Sequence, residues 1–136
     1  MSRTVDNDRM REPPEYLDEL AREVIGAAIE VHKTLGPGFV ESVYEAAMLD
    51  ELARRGVEFE NQFVLPVHYK GKLIAEHRLD LVIAGGLVVE LKAVESLGPT
   101  HFAQLLSYLK AGAFELGLLI NFNVPILKDG IKRLVI

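Results

Sequence analysis

"HRLDLVIAGGLVVELKAV", His77 to Val94, reads as two apolar strands joined by a glycine turn. Asp80, Glu90 and Lys92 interrupt it. If Ala84-Gly85-Gly86 forms a three-residue loop, Ile83 pairs with Leu87 and Asp80 falls opposite Glu90. Cross-strand partners share a face, with Cβ atoms about 4.5–5.5 Å apart. Lys92, two residues past Glu90, shares it too. A two-residue Gly-Gly loop would instead send Glu90 to the opposite face, so the inference depends on register.

In the first register two carboxylates and an ammonium meet on one patch, opposite a core-facing set of Leu79, Leu81, Leu87, Val89 and Leu91. Facing like charges destabilise a sheet. A divalent cation with oxygen ligands offsets that cost. Taken alone, the D-x9-E-x-K spacing favours a plainer surface ladder in which Lys92 bridges two acids, because short motifs often match by chance.

Working outward, residues 1–14 read as a flexible leader, and residues 15–136 as one domain. Leu17, Leu20, Val24, Ala28, Val31 and Leu35 recur at helical spacing until "LGPGF" stops the helix. A second helix is expected from about Phe39 to Arg55, capped by Gly56. There Glu41 shares a stripe with Tyr44, Met48 and Leu52, and taken alone it reads as a buried acid hydrogen-bonded to a tyrosine or a helix end. "FENQFVLPVHY" is a strand and "YKGK" a turn. Two further strands run from about Leu73 to Ile83 and from Leu87 to Ala93. "GPTHFAQLLSYLKAG" is a helix between Pro99 and Gly112, and "FELGLLINF" a fourth strand. "IKRLVI" is available for a short final strand. The order is α-α-β-β-β-α-β, an α/β architecture around a small mixed sheet.

The 136 residues are 49% hydrophobic and 26% charged, with a mean hydropathy of +0.17, as in a compact soluble domain. No apolar run is long enough to span a bilayer, and the polar N-terminus is neither a signal nor a transit peptide. Zero cysteines exclude disulfides, thiolate metal sites and a cysteine nucleophile, and agree with a cytoplasmic protein. The net charge is −5, from 15 basic and 20 acidic residues, which argues against electrostatic coating of nucleic acid. His32, near a helix end, and His68, in a strand, read as structural, since no His-rich metal spacing is present.

Asp80 followed by Glu90-Leu91-Lys92 resembles the active-site signature of the PD-(D/E)XK nuclease superfamily, with Leu79 where that signature has proline. "GFVESVYEAAM" carries Gly38, Glu41 and Tyr44 as G-x-x-E-x-x-Y, the pattern of the GxxExxY protein family. "VHKTLGPGFVESVYEAAMLDEL", "HRLDLVI", "VVELKAV", "HFAQLLSYLKA" and "LGLLINF" are similar to that family in its order, over roughly residues 15–136.

The resemblance implies a restriction-endonuclease-like αβββαβ core, a four-stranded mixed sheet flanked by helices, with an extra N-terminal helix. It implies Mg²⁺ or Mn²⁺ held by Asp80, Glu90, the Leu91 carbonyl and Glu41. Lys92 matches the residue that orients the attacking water or stabilises the transition state. Gln104 and Tyr108 resemble the Q-x-x-x-Y element bordering the site, with His101 one turn earlier, and Tyr108, Tyr44 and His101 are expected as binding residues. The function so implied is metal-dependent hydrolysis of phosphodiester bonds in DNA or RNA. The competing reading is a catalytically silent nuclease-fold module that binds nucleic acid or protein, and a small-molecule phosphoesterase is a third. Nucleic acid is the expected partner and a membrane is not. A homodimer is expected by analogy, because so small a domain offers little contact surface alone.

Overall fold

The computed structural model describes residues 12–136. Residues 1–11 of the expected leader lie outside them; Pro13 is buried, and Pro14 is the N-cap of the first helix. That helix, α1, spans Glu15–Leu35, with Glu15 and Asp18 in its first turn and His32 and Lys33 in its last, the charge order that complements a helix dipole. Leu17, Ala21, Val24, Ala27, Ala28 and Val31 form its buried stripe, and Gly36 ends it at a φ of 71° that favours glycine. The second helix, α2, spans Glu41–Arg54, starting two residues later than expected because Phe39 lies in a bend and Val40 is extended, both exposed after Pro37-Gly38.

The strands are β1 (Phe59–Tyr69), β2 (Lys72–Ile83), β3 (Leu87–Lys92), β4 (Leu116–Asn121) and β5 (Ile131–Val135), with α3 (Pro99–Gly112) joining β3 to β4. They form one sheet in the order β1-β2-β3-β4-β5, in which only β3 and β4 run parallel. Mixed α/β architecture holds, but with five strands rather than four. "IKRLVI" pairs antiparallel with β4 from Leu116↔Val135 to Ile120↔Ile131, covering an edge that would otherwise be open. Arg133 in β5 is tied to Asp18 of α1 at 2.6 Å.

Helices α1 and α2 pack on one face of the sheet, over Leu81, Ile83, Leu87, Val89, Leu91, Leu116, Leu118 and Ile120. The other face meets α3 through Leu65, Leu79, Val82, Val88, Leu105, Leu109 and Leu119. Leu79 therefore lies apart from the set expected to share its face. Alternation along β2 breaks between Leu79 and Leu81, opposite Gln62, whose φ of 55° is irregular for a strand. Asp80 sits at that break. No helix among the described residues is long and apolar enough to cross a membrane.

Candidate active site

The register is the one that places Asp80 opposite Glu90. Ile83 pairs with Leu87, Val82 with Val88 and Leu81 with Val89, around the loop Ala84-Gly85-Gly86. Ala84 and Gly85 are both left-handed, at φ 48° and 71°, and the Gly86 N–H closes the turn on the Ile83 carbonyl at 3.0 Å. Beyond Leu81 and Val89 the ladder ends, and the two acids bridge the parting strands. The Asp80 N–H donates to Glu90 Oε2 at 2.7 Å, and the Leu91 N–H donates to Asp80 Oδ2 at 2.8 Å. Each carboxylate thus satisfies a backbone donor where the strands part.

Glu90 is only 6% exposed, yet Asp80 Oδ1 and Glu90 Oε1 accept no hydrogen bond among the described residues. No described side-chain oxygen or nitrogen is both fully buried and unpartnered, so these two oxygens must retain access to solvent. Burial pushes Glu90 up to about 8, aided by repulsion from Asp80 and Glu41 against the Asp80 N–H and Lys92. Asp80 is raised as well, first by burial and then by Glu45 and Glu41, while the Leu91 N–H and Lys92 oppose the rise. Four carboxylates and one ammonium therefore act on one small region, and the pair resists full ionisation unless a further cation joins it.

Glu41 comes from the first residue of α2 and is exposed, which corrects the expectation of a buried acid. The stripe goes under the surface only at Tyr44. The Tyr44 ring stacks on Phe122 at 4.5 Å, and its hydroxyl donates to the Gly36 carbonyl at 2.5 Å while accepting the Phe39 N–H at 3.2 Å. Its face and its hydroxyl are both taken up in holding "LGPGF", so Tyr44 fixes the start of α2 and has no free surface for a ligand.

Lys92 is half-buried at the end of β3, opposite Asn121 of β4. Its carbonyl accepts the Phe122 N–H at 2.9 Å. Asn121 is buried and clasps the next turn, taking the Val94 N–H at 3.0 Å and giving its amide to the Val94 carbonyl at 2.9 Å. The backbone is thus held at Lys92 and again two residues beyond it. On α3, Tyr108 is half-buried, and burial, then the charges of Glu90 and Asp80, push its hydroxyl up. Gln104 lies one turn before it and is exposed. His101 uses Nδ1 to accept the Gly98 N–H at 3.0 Å as part of the helix cap, leaving only Nε2 for any other partner. His32 donates from Nε2 to the Val124 carbonyl at 2.8 Å, a structural role.

Three neighbours of the site escaped sequence reasoning. Glu45 accepts from Asn61 Nδ2 at 2.6 Å and Gln62 Nε2 at 2.8 Å, and so fastens α2 to β1 next to Asp80. Its i+4 spacing from Glu41 was the available signal. Asn121 was visible as a polar residue inside "LGLLINF". His77, whose ring lies 5.4 Å from that of Tyr108, had no sequence signal, since only the tertiary fold joins β2 to α3.

The sequence profile of the PD-(D/E)XK nuclease superfamily matches residues 18–134, so the chain belongs to that superfamily, and its fold is the restriction-endonuclease-like one. The superfamily points to nuclease-like function and generally uses divalent metals. The narrower GxxExxY pattern is compatible with the match. No curated protein and no solved structure matches the chain significantly.

Proposed function

We propose that this protein is a divalent-metal-dependent nuclease, using Mg²⁺ or Mn²⁺ to hydrolyse phosphodiester bonds of DNA or RNA. The observation that carries the reading is the Asp80–Glu90 pair. Two raised carboxylates, each with one oxygen left over, sit at the parting of two strands in a chain of this superfamily. That donor set fits a hard cation, since oxygen ligands with excess negative charge are what Mg²⁺ and Mn²⁺ prefer.

Asp80 and Glu90 would hold the ion, with the Leu91 carbonyl as a third protein ligand, while Glu41, exposed at the start of α2, does not converge with the two acids and would act on the ion by charge alone. The chemistry that such an ion supplies is polarisation of a phosphoryl oxygen and activation of water. Lys92 contributes a fixed cation beside the developing negative charge, where its effect is largest because it needs no reorganisation. Its surroundings suit this, with the backbone pinned at Phe122 and Asn121. Gln104 and Tyr108 orient the phosphate or the water from α3.

One observation favours the silent-module reading. Among the described residues no three His, Asp or Glu side chains converge as a ready-made metal cluster. Mg²⁺ usually keeps several waters and is bound through one or two carboxylates, so Asp80, Glu90 and the Leu91 carbonyl suffice. The test is cleavage of single-stranded, double-stranded and branched DNA and RNA in Mg²⁺ and in Mn²⁺. Cleavage that needs the metal supports the nuclease, and inertness on every substrate favours the module.

A further inference from the structure

Strands β1 and β2 run well past the place where β3 leaves them. β3 pairs only with Leu81 to Ile83, whereas the β1–β2 ladder continues to Tyr69↔Lys72. Residues Phe63 to Leu79 therefore form a two-stranded arm that begins at the site. Its base is held against α3 and the segment after it, by buried Leu65, by Phe63 against Phe114 at 6.0 Å, and by His77 against Tyr108. Every residue of β2 from Lys72 to Arg78 is exposed.

The arm has the opposite charge to the rest of the molecule. It carries Lys70, Lys72 and Arg78 against Glu76 alone, while the remaining chain holds 12 basic and 19 acidic residues. None of the three cations enters an ion pair among the described residues. The acids at the site itself repel a polyanion, so affinity for one must come from elsewhere. The adjoining arm is suited to supply it.

We infer that the β1–β2 arm is the nucleic-acid-binding element of this protein, gripping backbone phosphates through Lys70, Lys72 and Arg78 outward from the site. This rests on the nuclease reading above. Strand rise puts Lys72 about 20 Å beyond Arg78. That distance spans about six nucleotides of duplex, at ~3.4 Å each. A two-stranded ribbon also fits the major groove. The arm thereby accounts for polyanion binding by a protein of net charge −5.

The test is fluorescence anisotropy with labelled 24-mers of single-stranded DNA, duplex DNA and single-stranded RNA, in EDTA and in Mg²⁺, across a salt series. Lys70→Ala/Lys72→Ala should bind at least about tenfold more weakly than wild type, and the slope of log K against log salt should fall by about 2. Lys128→Ala/Lys132→Ala, a control pair away from the arm, should bind as wild type. Melting curves check that each variant folds. The preferred 24-mer identifies the nucleic acid. Arm and control variants that bind alike, or a wild type that binds no 24-mer, would overturn the inference. So would an arm variant that loses self-association in sedimentation while keeping its affinity, since the free β2 edge would then be a contact between copies. Wild-type binding without cleavage in any divalent metal would sink the nuclease reading and leave the arm standing.

Discussion

Asp80 and Glu90 hold each other across the gap between β2 and β3. The Glu90 carboxylate takes the Asp80 N–H at 2.7 Å, and the Asp80 carboxylate takes the N–H of Leu91, next to Glu90, at 2.8 Å. Two acids interrupt apolar strands here and satisfy backbone donors at the place where the strands part. The same placement leaves one oxygen of each for a ligand.

Metal affinity should depend on Glu90 and not on nearby acids in general. Glu90→Gln should weaken Mg²⁺ or Mn²⁺ binding by at least about tenfold, a loss of one charged oxygen ligand worth ~1.4 kcal/mol or more. Glu95→Gln, exposed and past the strand, should leave it unchanged. Titration calorimetry decides, and equal affinity in wild type and Glu90→Gln would place the ion elsewhere.

Without metal, stability should fall as pH rises. Glu90 keeps its proton in the fold up to about 8, whereas the unfolded chain releases it near the ordinary 4.5. Between those values the folded state binds more protons, so its advantage is complete below pH 4.5 and is lost as pH climbs toward 8. Asp80 is also raised and pushes the same way. At ~1.4 kcal/mol per unit the loss is on the order of 5 kcal/mol. Urea unfolding at pH 5, 6.5 and 8 in EDTA should show the decline, and Glu90→Gln should flatten it. A slope unchanged in that variant would assign it to other groups.

Tyr44 should matter to the fold and not to the ligand. Tyr44→Phe leaves the Gly36 carbonyl and the Phe39 N–H without their partner, at a cost of about 1–3 kcal/mol. The melting temperature should drop while intrinsic metal affinity, measured well below it, stays put. Reduced affinity at full folding would show that α2 positions the site more tightly than its exposed Glu41 suggests.

Asn121 should act on catalysis through Lys92. Asn121→Ala frees both polar groups of Val94 and should destabilise the fold by at least about 1 kcal/mol. If it also loosens Lys92, turnover should fall with KM little changed, whereas Asn121→Asp, which keeps the acceptor for the Val94 N–H, should recover part of it. Loss of stability with normal turnover would confine Asn121 to a structural role.

Much of this was legible in the chain. "FENQFVLPVHY" marked β1 at both ends, and Ala84-Gly85-Gly86 offered one of two hairpin registers left open by the glycines, the one in which Ile83 pairs with Leu87. Leu79 was misplaced since a break in alternation at Gln62 and Asp80 depends on how the strands part, which no local pattern records. Glu41 was read as buried because helical spacing reports a stripe and not where along the helix it becomes covered. Tyr44 was read as a ligand contact because its hydroxyl partners, Gly36 and Phe39, lie in a loop whose path is set by tertiary packing. The fifth strand needed only a partner, which β4 supplied.

The most direct measurement is cleavage of the tightest-binding nucleic acid by wild type and by Lys92→Ala, in saturating Mg²⁺, with folding and substrate affinity checked in parallel. Removing a cation that acts in the transition state should lower the rate by about a hundredfold or more, with melting temperature and affinity nearly unchanged. Wild-type cleavage that requires metal and disappears in folded Lys92→Ala is the expected result. Equal rates in the two proteins, or no cleavage by wild type, would contradict a nuclease built on Asp80, Glu90 and Lys92.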